Sequence, residues 1–232
     1  MSYNINVTDT AECALMKILL RFMKVKRSRW IIFVGLAVII GLYPLLYFSA
    51  GFRAHGFLAG KPEALEQNWY YMATFYTHIS FGSIAMLTGW SQFSAQLRSR
   101  YVSRHRALGK VYVTSVMLSS ISGFAIAMFA TGGLISVLGF GALALSWFFS
   151  NLKAYTAVLN RNFEAHENWM ICNYALTFAA VTLRIWLPFS QAVLHMDFVS
   201  AYQIVAWLCW IPNLIVAALI VNRKRVRLAT LA

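Results

Sequence analysis

Four side chains carry most of the chemistry this sequence offers in or beside its apolar stretches: His78, His105, His166 and Arg184. An ionisable residue within hydrocarbon is costly, so each marks a place where a ligand, a cofactor or a second polar group is expected. No Asp or Glu falls inside an apolar run. That weakens proton-coupled transport, which usually relies on buried carboxylates. His78 lies on a stripe with Thr74, Gly82, Ala85 and Gly89. Small residues on one face admit a close neighbour, either another helix or a flat ligand such as a porphyrin. A plain hydrogen bond to an adjacent helix explains His78 equally well.

A second stripe recurs at four-and-three spacing: His166, Met170, Asn173, Thr177, Ala180 and Arg184. Residues so spaced share one helical face, and a polar face should turn inward. Arg184 either snorkels to the head groups or meets an anionic or oxygen-bearing partner, such as a haem propionate, a quinone carbonyl or a carboxylate. His105, within Arg104-His105-Arg106, and His166, within Glu164-Ala165-His166-Glu167, open two apolar runs at one depth. Two such imidazoles can serve as axial ligands of a b-type haem, with Arg104 and Arg106 on its propionates. Hydrogen bonds to lipid phosphates are the commoner fate of interfacial histidines. His78 lies about 15 residues deeper, or ~22 Å at helical rise, so it shares no iron with them. The four-histidine pattern of a two-haem protein is absent.

The elements that must position these residues are membrane helices. Of 232 residues, 60% are hydrophobic and 12% charged, far below the roughly 25% charged of a soluble domain. Six apolar runs, near 30–50, 69–93, 108–130, 132–158, 168–190 and 199–221, each approach the ~20 residues needed to cross a bilayer. The expected fold is an all-α integral membrane bundle of about six helices. Residues 1–29 form a cytoplasmic segment, 30–221 the bundle and 222–232 a basic tail. Asp9 with Glu12 opens a helical pattern reaching about Arg27. Its face of Leu15, Ile18, Leu19 and Phe22 predicts an amphipathic helix lying in the interface.

The net charge of +13 collects at one set of loop ends: 17–29, 98–110, Lys153 and Arg161, and 223–227. The opposite loops hold only Arg53 and Lys61. The positive-inside rule then places both termini in the cytoplasm and removes the need for a nucleic-acid partner. Trp69, Tyr70, Tyr71, Trp186 and Tyr202 are expected at the outer boundary. Residues 51–67 are read as a loop or short surface helix. Cys172 and Cys209 lie inside apolar runs and read as packed thiols.

The sequence resembles a bacterial family of predicted membrane proteins known only as domain of unknown function twenty-three-oh-six. The resemblance rests on His78 followed by small residues to Gly89, on Arg104 to Tyr112 (Arg-His-Arg-x-x-Gly-Lys-x-Tyr), on His166-x-x-Trp-Met and on Arg184. It implies a multi-pass inner-membrane protein without an assigned activity, similar in size and histidine placement to small membrane b-type cytochromes.

Three functions compete. The first is a redox protein holding haem b or a quinone. His105 and His166 would be its iron ligands, and His78, Arg184, Arg106 and Asn173 would line the cofactor. The second is a transporter or binding protein for a small molecule. The third is an accessory subunit of a larger membrane complex. Hydrolase motifs such as Gly-x-Ser-x-Gly or His-Glu-x-x-His are missing, which makes a hydrolytic enzyme the least favoured reading; whether the chain is an enzyme of another kind is left open.

Overall fold

The structure, a computed structural model, describes residues 27–49 and 63–230. The amphipathic segment expected at 9–27 therefore lies almost wholly outside the described residues, as does most of the 51–67 connection. The chain divides into two compact units, one ending at Leu36 and one starting at Ala37. In the first, the rings of Trp30 and Phe33 pack 5.5 Å apart.

Every described element is helical. The chain contains α1 (Arg27–Phe48), α2 (Glu63–Gln67), α3 (Trp69–Gly89), α4 (Ala95–Arg100) and α5 (Val102–Ala127). It continues with α6 (Leu134–Leu159), α7 (Phe163–Thr177), α8 (Ala179–Ala192), α9 (Phe198–Leu208) and α10 (Ile211–Ala229). Among the described residues, five stretches are long and apolar enough to cross a membrane by themselves: α1, α5, α6, α7 with α8, and α9 with α10. The expected sixth, α3, has the length at 21 residues but not the hydropathy. Its tyrosines, threonines, serines and His78 make it more polar, and several hydroxyls (Thr74, Ser80 and Thr88) bond back to carbonyls of the same helix.

Breaks in the long helices have local causes. In α1, Pro44 lacks an N–H, and a turn at 43–44 precedes a short helix, Leu45–Ser49. Helices α7 and α8 meet at Phe178, and α9 and α10 meet at Cys209 and Trp210, just before Pro212. Asn213 ties the two breaks together. Its amide nitrogen lies 3.2 Å from the Ala175 carbonyl, 3.1 Å from Thr182 Oγ1 and 3.0 Å from the Cys209 carbonyl. Carbonyls that a broken ladder leaves open thereby find donors inside the bundle.

The helix starts are capped from the sequence. Asn68 accepts from Tyr70 and Tyr71 N–H, Asn162 from Ala165 N–H, and Asp197 from Ser200 N–H. That last bond holds the Asp197 carboxyl below the usual carboxylate range. Tyr71 and Tyr202, expected at the outer boundary, are instead buried at 3% and 6% exposure. Trp69 and Tyr70 remain on the surface. Tyr71 packs edge-on against Phe129, and Tyr202 lies 5.0 Å from the Phe140 ring of α6, so both rings serve packing between segments.

The tightest contact in the bundle is between α3 and α5, along small residues. A Cβ on Gly89 would run into Tyr174 and would sit 2.6 Å from the Tyr112 ring. One on Gly123 would sit 2.7 Å from Nδ1 of His78. The small stripe on α3 thus admits a neighbouring helix, and it brings α5 against His78.

Candidate functional site

His78 is fixed by two atoms of one residue on α5. Its Nδ1 lies 2.8 Å from the Ser119 carbonyl oxygen, which can only accept. The Ser119 hydroxyl donates to the His78 carbonyl at 2.9 Å, and its oxygen faces the same Nδ1 at 3.2 Å. Both neighbours require a hydrogen on Nδ1. In the neutral ring Nε2 then carries the lone pair.

That ring lines a cavity of about 600 Å³ among α1, α3, α5, α6, α7, α8 and α9. The volume lies within the roughly 300–1,000 Å³ of small-molecule sites. The walls are mostly apolar and aromatic, with Tyr47, Tyr71, Phe75, Phe140 and Trp147 among them. No Asp or Glu is among the lining residues. Arg184 is. Rather than snorkelling outward, its Nη1 donates to the Ala180 carbonyl at 2.9 Å, and its guanidinium lies 4.6 Å from the Tyr43 ring centroid. A cation over an aromatic face is favourable by roughly 0.5–2 kcal/mol. It does not neutralise the charge, and the remaining N–H groups still call for oxygen. The cavity therefore combines a guanidinium side chain and an imidazole side chain within aromatic walls.

Asn173, expected to face a cofactor, sits instead in a closed network. Its Nδ2 donates to the Trp147 carbonyl at 2.9 Å and to Ser150 Oγ at 2.8 Å. Its Oδ1 accepts from Tyr112 at 2.6 Å. Thr177 Oγ1 lies 2.9 Å from that phenol and accepts from Trp147 Nε1 at 2.9 Å. All of these side chains are buried. With both amide hydrogens and its oxygen engaged, Asn173 locks α5, α6 and α7 together. Only Thr177 and Trp147 carry the network to the cavity wall.

The remaining expected site residues gather at the opposite end of the bundle. His166 Nδ1 faces the Ala154 carbonyl at 2.8 Å, which leaves its Nε2 with the lone pair. His105 Nδ1 is buried without a hydrogen-bond partner among the described residues. Arg98, His166 and Arg106 all lie close to His105. Arg106 itself is exposed. Here Glu167 meets Lys224 at 2.7 Å and Arg98 at 3.8 Å, which draws α4, α7 and α10 to one end. The cavity wall includes neither His105 nor His166. Among the described residues no three His, Cys, Asp or Glu side chains form a metal-binding group.

These positions coincide with a known family. A family model described as predicted membrane protein (DUF2306) matches residues 75–221. The chain belongs to the DUF2306 family. The matched stretch begins one turn before His78, includes His105, His166 and Arg184, and ends within α10. No curated protein and no solved structure matches the chain.

Within this DUF2306 chain, Ser119, Tyr112, Trp147 and Ser150 escape a search for chemistry-bearing residues. A serine on a membrane helix reads as a packing residue. Its carbonyl, which here sets the histidine tautomer, has no signature in sequence at all. The spacing of Tyr112, Val116, Ser119 and Gly123 on one face of α5 is the signal that was available.

Proposed function

We propose that this protein is a redox protein of the bacterial inner membrane that binds a membrane-soluble quinone in the cavity bearing His78 and Arg184. One observation carries the reading. A half-buried imidazole and a guanidinium, 106 positions apart in sequence, line the same aromatic-walled cavity. A flat ring fits such walls, and its oxygens match two polar groups on an otherwise apolar surface. Both termini lie in the cytoplasm, as the basic loop ends indicate.

A second reading rests on the tautomer. A histidine that donates from Nδ1 to a carbonyl presents Nε2 as a metal ligand. Haem b held by His78, with Arg184 on a propionate, would occupy the same cavity. Transport of a small molecule and service as an accessory subunit are alternatives with no comparable geometric support.

The test is spectroscopic and thermal. Detergent-purified protein is expected to lack a Soret band and to gain stability from decylubiquinone. The gain should reach about 2.7 kcal/mol at a hundredfold excess over Kd. A Soret band that disappears in His78→Ala would replace the quinone with haem. Absence of both a band and any stabilisation would remove the redox reading.

A further inference from the structure

We infer that the cavity selects the reduced ligand, a hydroquinone, over the oxidised quinone; this rests on the quinone reading above. A quinone presents only acceptor oxygens. A hydroquinone presents hydroxyl groups that both donate and accept. The two polar groups of the cavity are not equivalent toward these forms.

Arg184 can only donate, so it satisfies an oxygen of either form. His78 is the discriminating group. Its Nδ1 hydrogen is committed to the Ser119 carbonyl and hydroxyl oxygens, at 2.8 Å and 3.2 Å. Those two contacts close the alternative tautomer, because the carbonyl cannot donate and the hydroxyl hydrogen already points to the His78 carbonyl. Gly123 presses on the same ring edge, where a Cβ would come within 2.7 Å of Nδ1, so the ring has little room to turn. Arg184 already contributes a positive charge to this wall, and the ring is taken as neutral imidazole. Nε2 is then an acceptor.

A hydroxyl donating to Nε2 forms a bond. A quinone carbonyl at the same place sets two lone pairs against each other and leaves both unsatisfied in an apolar site. The preference is for a ligand with a hydroxyl near His78 and an oxygen near Arg184. One satisfied bond against one unsatisfied pair corresponds to about tenfold or more in affinity.

The experiment compares decylubiquinol, kept reduced under argon, with decylubiquinone on the full chain in detergent. Quenching of tryptophan fluorescence reports binding, since Trp147 is on the wall. The quinol is expected to bind about tenfold or more tightly. A tenfold preference raises the two-electron midpoint potential of the bound couple by about 30 mV. The variant H78F should lose that preference while retaining the weaker quinone affinity. Should it fail to fold, the potential shift in the unmodified protein carries the test alone. Equal affinities, or tighter quinone binding, would overturn this inference and leave the quinone site standing. Binding of neither form would overturn both.

Discussion

At the residue scale, the polar groups of this bundle divide into those with complete hydrogen bonding and those with capacity to spare. Asn173 is the clearest member of the first group, with three bonds from one amide. Substitution to Ala removes one of the two partners of Tyr112 and of Ser150 in a buried site. Thermal or denaturant unfolding in detergent should show a loss of about 2–3 kcal/mol. Addition of decylubiquinol should still stabilise whatever fraction folds. His78 and Arg184 belong to the second group, because among the described residues the hydrogen bonds of His78 use Nδ1 and that of Arg184 uses Nη1. The sequence marked both as exceptional, on the ground that ionisable groups in hydrocarbon need a reason. It also marked Asn173, for the same reason and with a different outcome. Residue type does not distinguish a polar group that serves a ligand from one that ties helices together; the partners do.

At the element scale, α3 and α5 show what small residues achieve. Gly89 has Tyr112 and Tyr174 pressed on it, and neither ring can retreat easily. Tyr112 is fastened to Asn173, and Tyr174 donates to the Met86 carbonyl at 3.3 Å. Gly89→Ala is therefore expected to cost about 1–3 kcal/mol in unfolding experiments, the range typical of overpacking. Gly109→Ala on the same interface makes an instructive contrast. Its new methyl group would meet Gln92 Oε1 at 3.2 Å, the far end of a flexible side chain. Its cost should be smaller. A larger loss at Gly109 than at Gly89 would show that ring crowding is not what limits this contact. The stripe from Thr74 to Gly89 was legible as a face for close approach. Whether a helix or a flat ligand would approach it was not, since both need the same absence of side chains.

At the scale of the whole molecule, charge and hydropathy define two unlike ends. The end with α4 and the α6–α7 connection holds Arg98, Arg104, Arg106, Arg161 and Lys224. The cavity opens among residues nearer the other end, such as Tyr71, Phe129 and Pro188. The ion pairs of Glu167 are about half exposed, and such pairs add at most about 1 kcal/mol each. Orientation therefore depends on how the basic loops meet the translocation machinery and anionic lipid rather than on those contacts. Reporter fusions after residues 131 and 195 should prove external, and fusions after residues 161 and 232 cytoplasmic. The reverse pattern would refute the topology while leaving the fold intact.

The membrane setting and the long helices were set by the chain itself. Hydrocarbon accepts only segments whose backbone groups bond internally, and apolar runs of this length have no other stable form. Helical periodicity also fixed which residues share a face. What it left open was the rotation of each helix against the next. Those rotations placed Ser119 beneath His78, closed the amide of Asn173, turned Tyr71 and Tyr202 inward and folded Arg184 back over Tyr43. Contacts between positions tens of residues apart depend on side-chain fit across several helices at once. No single helix carries that information, so the cavity and the tautomer of the histidine on its wall emerge only from the packed bundle.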